Sequence, residues 1–199
     1  MELPPIHFLP KFIGQKESDH HFFQLLSLPW KKMEWKAGRT LPRLIFRYEG
    51  QRITVLEELK GLIENAFNVT VSGIFCNQYQ NGNNWTPEHQ DSYGADVFTL
   101  TFGESRRFYF KHLQTNQKIE YDLSHGDLIY FDQTANSQHK HCIPKTTQQK
   151  AIRISVVFFV NTNLFTSDQN QLVQSNSSTL TLTDEQLDQL IQDGLIKFD

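Results

Sequence analysis

Ile152-Arg153-Ile154-Ser155-Val156-Val157-Phe158-Phe159-Val160 is a β-rich, apolar run interrupted by one guanidinium. Side chains alternate across a strand, so Arg153 shares a face with Ser155, Val157 and Phe159, while Ile154, Val156 and Phe158 face the other way. A buried arginine is costly unless a carboxylate neutralises it, and its planar fork suits two oxygens at once. A dicarboxylate co-substrate would supply them; the alternative is an Asp or Glu of the chain itself. Upstream, β-rich runs at 97–102, 107–112, 117–123 and 127–131 are separated by Gly, Asn and Ser signals. That pattern predicts an all-β sandwich or roll.

His89-Gln90-Asp91 reads as a metal-binding triplet, because residues two apart on a strand project the same way. Gln90 then points elsewhere. The stretch Gln138-His139-Lys140-His141-Cys142-Ile143-Pro144 offers two candidates for a third ligand, His139 and His141. His141 is preferred, since it directly precedes an apolar stretch, whereas His139 adjoins the polar run 134–138 that reads as loop. Two imidazoles and one carboxylate fill one face of an octahedral ion and leave positions open, which suits Fe(II). A further strand, Gly73-Ile74-Phe75-Cys76-Asn77-Gln78-Tyr79, ends at the turn Gln80-Asn81-Gly82. Asn77 and Tyr79 share a face there and could donate to the carboxylate that Arg153 holds.

Two helices are expected before the strands. Ser18 caps one that contains Phe22, Phe23, Leu25 and Leu26 and stops at Pro29. Thr54 and Glu57 form a capping box ahead of Leu56, Leu59, Ile63, Ala66 and Phe67, a stripe that should pack on the outside of a sheet. The chain divides into a domain over 1–165, a polar linker over 166–182 and an acidic helix over 183–199, in which Thr183 is the N-cap and Leu187, Leu190 and Ile191 form an apolar stripe.

The net charge of −3 does not advertise a nucleic-acid binder, but its distribution is uneven. Residues 31–52 hold Lys31, Lys32, Lys36, Arg39, Arg43, Arg47 and Arg52 against Glu34 and Glu49, whereas residues from 166 onward are strongly acidic. Trp30, Trp35, Phe46 and Tyr48 interleave with the basic residues, which suits phosphate contact and base stacking; the alternative is a solvated strand with its aromatics in the core. The start Met1-Glu2-Leu3-Pro4-Pro5 lacks the features of a signal peptide, and no apolar run approaches a membrane span. The expectation is a soluble intracellular protein, cytoplasmic or nuclear and not secreted, acting as a monomer. Cys76 and Cys142 read as buried thiols rather than a disulfide framework.

These segments together resemble the AlkB-like Fe(II)/2-oxoglutarate dioxygenases, in order, over roughly residues 8 to 160. Asn77-Gln78-Tyr79-Gln80-Asn81-Gly82 is similar to the family's N-x-Y-x-(D/N)-G, and Trp85-Thr86-Pro87-Glu88-His89-Gln90-Asp91 to its metal-binding segment. The run from Phe98 to Phe108, through Gly103-Glu104-Ser105-Arg106, resembles the strand and turn that follow. Further on, Gly126-Asp127-Leu128-Ile129-Tyr130-Phe131, His141-Cys142-Ile143-Pro144 and Arg153-Ile154-Ser155 resemble its later blocks, and Leu41-Pro42-Arg43 its substrate-side segment. The resemblance implies a mainly β fold with flanking helices (α+β), whose core is a double-stranded β-helix, or jelly roll, with the N-terminal helices packed on one sheet and a short C-terminal helix.

The resemblance also implies Fe(II) held by His89, Asp91 and His141. It places 2-oxoglutarate on Asn77, Tyr79, Arg153 and Ser155, oxygen as co-substrate, and Arg43, Tyr93 and Trp35 on the substrate side. The reaction implied is oxidative dealkylation of N-alkylated bases in DNA or RNA, with release of succinate, CO2 and formaldehyde. Two departures bear on substrate choice. Tyr93 stands where many repair members carry an acid, and Phe159 where the closing strand usually has a second arginine. They leave open a hydroxylase or demethylase of a small molecule, nucleoside or protein side chain, or an inactive binding module.

Overall fold

The computed structural model describes residues 6–35, 39–92 and 94–160, with the side chains of Trp35 and Arg39 outside the described set. Tyr93, the 166–182 linker and the 183–199 helix also lie outside the described residues. In chain order the strands are β1 (Ile6–Leu9), β2 (Lys31–Trp35), β3 (Arg39–Tyr48), β4 (Val71–Tyr79), β5 (Thr86–His89), β6 (Asp96–Gly103), β7 (Arg106–His112), β8 (Lys118–Leu123), β9 (Leu128–Phe131), β10 (His139–Ile143) and β11 (Arg153–Val160). The helices are α1 (Gln15–Leu26), α2 (Thr54–Phe67) and α3 (Gln133–Gln138).

The 152–160 run becomes β11, the middle strand of a seven-stranded sheet ordered β1-β9-β6-β11-β4-β3-β2, and a four-stranded sheet follows the order β5-β10-β7-β8. All pairings are antiparallel. The two faces of β11 serve two cores. Ile154, Val156 and Phe158 bury themselves with Leu25 of α1 and Leu56, Leu59 and Ile63 of α2, so both helices cover the outer face of the large sheet. Phe159 belongs to a second core with Val97, Phe108, Phe110, Phe131 and Ile143, drawn from both sheets. This is a double-stranded β-helix in which Arg153 and Ser155 look inward between the sheets.

Local details depart from the expected caps. Ser18 lies inside α1, whose N-cap is Gly14, and its buried hydroxyl donates to the Ile13 carbonyl at 3.1 Å. Thr54 is the first residue of α2 rather than its cap, Ile53 takes the cap position, and Glu57 accepts from the Tyr48 hydroxyl instead of reaching back. Packing of the helix on the sheet supplies what the capping box would have. Phe23, expected in the apolar stripe of α1, is 68% exposed. The run 134–138, expected as loop, is α3, and His139 opens β10.

Trp30, Phe46 and Tyr48, of the aromatics in the basic stretch, follow the structural alternative. Phe46 is buried in the helix-side core, Tyr48 and Trp30 pack against it, and the Trp30 indole donates to the Leu25 carbonyl. Lys31, Lys32 and Arg47 remain exposed. Gly103 has φ +83° and leaves no room for a Cβ, which would lie 2.4 Å from the Ile152 carbonyl, so the turn after β6 requires glycine. Leu59 is fully buried at the centre of the helix–sheet core. Leu59→Ala should therefore cost about 2–5 kcal/mol, read as a lowered urea midpoint with an unchanged m-value.

Candidate active site

β5 and β10 are paired so that His89 lies opposite His141, which brings the two rings to a centroid separation of 4.3 Å. Asp91 follows just beyond β5. Its carboxylate oxygens lie 3.7 Å from His89 Nε2 and 3.5 Å from His141 Nε2. One ligand atom from each of the three residues lies within 4.8 Å of the other two. His89 Nδ1 is within hydrogen-bond reach of the Pro87 and His141 carbonyls at 2.9 and 3.1 Å, which fixes the proton there and turns the Nε2 lone pair toward Asp91. Phe108 and Phe131 pack against the His141 ring.

The electrostatics of the cluster suit a cation. Burial, and then the neighbouring His89, hold the His141 imidazole well below its ordinary pKa, so it stays neutral. Burial raises the Asp91 carboxyl, against the opposing pull of His89 and Arg43. A divalent ion binds a neutral imidazole and repays the desolvation of a carboxylate, so the donor set fits Fe(II). His139 does not join it. Its Nδ1 is 3.0 Å from the Ala135 carbonyl, and its ring sits among Phe110 and His112.

A cavity of about 260 Å³ contains the cluster and Arg153 together, lined also by Arg43, Asn77, Tyr79, Ser155 and Phe159. Arg153 is only 1% exposed. Its Nη2 donates to Thr101 Oγ1 at 3.0 Å, while Nε and Nη1 are buried without a hydrogen-bond acceptor among the described residues. No Asp or Glu among the described residues forms an ion pair with it. Burial pushes its pKa down to about 10, which leaves it charged at neutral pH. A buried, forked cation with two idle donors facing a cavity is suited to a carboxylate.

The remaining expected residues are placed as follows. Asn77 accepts from Arg43 Nε at 2.6 Å and donates to Ser155 Oγ at 3.4 Å, so its amide links β3 to β11 along the large-sheet wall of the cavity. The Tyr79 hydroxyl pairs with Thr86 Oγ1 at 2.6 Å, and the ring lies 5.2 Å from the Arg153 guanidinium. Sequence reasoning did not single out Thr101, whose hydroxyl holds Arg153, nor Arg106. The latter is buried and donates to the Asn81, Asn84 and Pro144 carbonyls, tying together the loops around the site. The available signal was the position of Arg106, directly after the Gly103 turn at the start of β7.

No family model matches the sequence. Among curated proteins the chain is 24% identical over 119 residues to the DNA oxidative demethylase ALKBH2 of Homo sapiens, covering 53% of this chain and 46% of that one. It is 27% identical over 105 residues to the uncharacterized protein R406 of Acanthamoeba polyphaga mimivirus, covering 50% and 55%. The chain thus spans about half the length of the curated relatives it matches. Among solved structures, OsALKBH1 superposes with a TM-score of 0.62 at 14% identity, over 80% of this chain and 99% of that one. A 2OG-Fe(II) oxygenase family oxidoreductase from Burkholderia pseudomallei gives 0.58 at 15% identity, over 78% and 84%.

The double-stranded β-helix with a His-Asp-His cluster between its sheets is the architecture of the 2-oxoglutarate/Fe(II) oxygenases. At low identity the chain is similar in sequence to proteins named ALKBH2, and in fold to OsALKBH1.

Proposed function

We propose that the chain is an Fe(II)- and 2-oxoglutarate-dependent dioxygenase that removes alkyl groups from the nitrogens of nucleic-acid bases. The observation that carries the reading is a buried arginine with two idle donors sharing one cavity with a His-Asp-His cluster. Its relatives named as DNA oxidative demethylases support the substrate class, as do the exposed Lys31, Lys32 and Arg47 of β2 and β3.

His89, Asp91 and His141 would hold the iron, and Arg153, steadied by Thr101, would hold the distal carboxylate of 2-oxoglutarate. When bound, iron, 2-oxoglutarate and O2 would supply an oxidant that hydroxylates a C–H bond, one oxygen atom going to that carbon and the other to the succinate formed as 2-oxoglutarate loses CO2. The chain's own residues then position the substrate carbon. Asn77 and Ser155 line the floor between the two sites, Phe159 forms an aromatic wall, and Arg43 stands on the substrate side. An N-methyl group hydroxylated there leaves its base as formaldehyde.

The test is a paired assay of succinate and formaldehyde with Fe(II), 2-oxoglutarate, oxygen and a panel of methylated single- and double-stranded oligonucleotides, with Asp91→Ala as control. Formaldehyde released in step with succinate from one oligonucleotide is expected. Succinate formation indifferent to every oligonucleotide would replace the proposal with an oxygenase of a small molecule or protein side chain.

A further inference from the structure

Asp91 differs from the two histidines in how its backbone is held. His89 and His141 sit in the β5–β10 ladder, whereas Asp91 lies past the end of β5. A loop residue that must present a carboxylate to an ion within a few tenths of an ångström needs another restraint. It has one in the side chain of Asn136. Asn136 Oδ1 accepts the Asp91 backbone N–H at 2.9 Å, and Asn136 Nδ2 donates to the Asp91 carbonyl at 2.7 Å. Only this orientation of the amide satisfies both groups. The pair imitates a strand neighbour and fixes the peptides on both sides of the Asp91 Cα.

The clamp has a second jaw. Gln90, the first residue beyond β5, donates from Nε2 to the Asn136 and Ser137 carbonyls at 2.8 and 3.0 Å. The helix that carries these groups is itself pinned. Asp132 caps α3 by accepting the Ala135 N–H at 2.7 Å, Ala135 is fully buried, and His139 Nδ1 holds the Ala135 carbonyl. Two residues beyond His139, the same strand presents His141. α3 thus joins the Asp91 segment to the strand of the third ligand.

We propose that Asn136 is a positioning residue for the metal, with Gln90 as its support: it sets the Asp91 carboxylate against the two imidazoles without touching the ion. The inference rests on the reading of His89, Asp91 and His141 as a metal site. The experiment is anaerobic titration of the full chain with Co(II) alone, followed by its visible absorption, with thermal midpoints of the metal-free proteins in parallel. Asn136→Ala is expected to weaken Co(II) by about 10- to 100-fold, as loss of a group that orients a ligand does. Gln90→Ala, at an exposed position that leaves the Asn136 pair intact, should weaken it in the same direction by less. In an Asp91→Ala background, titrated to saturation, Asn136→Ala should change nothing, because the ligand it orients is gone.

Wild-type Co(II) affinity in both single variants would overturn the proposal. So would an Asn136→Ala penalty that persists undiminished without the Asp91 carboxylate, since the effect would then be general to the fold. Failure of the unaltered chain to bind Co(II) would instead remove the metal reading itself.

Discussion

Exchange of Arg153 for methionine is expected to abolish 2-oxoglutarate binding and, at the same time, to raise the melting temperature of the ligand-free protein. The two effects share one cause. Among the described residues the buried guanidinium has Thr101 as the acceptor for Nη2 and none for Nε and Nη1. A buried charge without a counter-ion is a destabilising element, and a well-packed apolar side chain of similar length gains about 1–4 kcal/mol over such groups. For a chain of this size each kcal/mol corresponds to about 2–4 °C. With the co-substrate present the balance reverses, because truncating one side of a desolvated charge pair costs about 2–5 kcal/mol. That is a loss of about 30- to several-thousand-fold in affinity. Calorimetric titration with 2-oxoglutarate under anaerobic conditions, beside thermal scans of both proteins, reads the two arms. Retained affinity would remove Arg153 from the co-substrate site, and a lowered melting temperature would make it a structural residue.

What could be read in the sequence was whatever depended on alternation along one strand. β11 announces both its faces, so the placement of Ile154, Val156 and Phe158 under the helices and of Arg153, Ser155 and Phe159 toward the cavity follows from period two alone. The same rule set His89 and Asp91 on one strand face, but β5 ends at His89, so Asp91 reaches the cluster from beyond the strand, and Gln90 lines the same cavity. What could not be read was register and local capping. Nothing in the triplet says that His89 would stand opposite His141, because register is set by pairing between distant segments. Caps are decided by a single turn against tertiary packing: Glu57 is drawn to Tyr48, and Gly14 and Ile53 open helices whose stability comes from the buried face. α3 escaped notice because its residues, Gln133-Thr134-Ala135-Asn136-Ser137-Gln138, carry no apolar stripe. Its one signal is Asp132, spaced to cap Ala135.

His141→Ala and His139→Ala should give crossed phenotypes. Both histidines are buried and project from the same face of β10, yet they meet different neighbours. His141 faces Asp91, and its Nδ1 has no hydrogen-bond partner among the described residues, so the surrounding protein asks little of its polar atoms and the metal asks much. Its loss should weaken Co(II) or Fe(II) by more than the 10- to 100-fold that a supporting residue costs, with a smaller change in metal-free stability. His139 is held by the Ala135 carbonyl and keeps α3 in place. Removing it takes one of that carbonyl's two donors, the His139 backbone N–H remaining, at a cost of about 0.5–1.5 kcal/mol, while metal affinity should fall only as far as α3 loosens its hold on Asp91. The pH dependence separates them further. Burial lowers the His139 pKa, so below about pH 6.5 the unfolded chain takes up a proton that the folded chain refuses, and stability falls as pH drops. His139→Ala should remove that part of the acid limb. Equal loss of metal from both variants would mean that the ligand set has been misassigned, because only one of these imidazoles has a carboxylate and a second histidine within bonding reach of one ion.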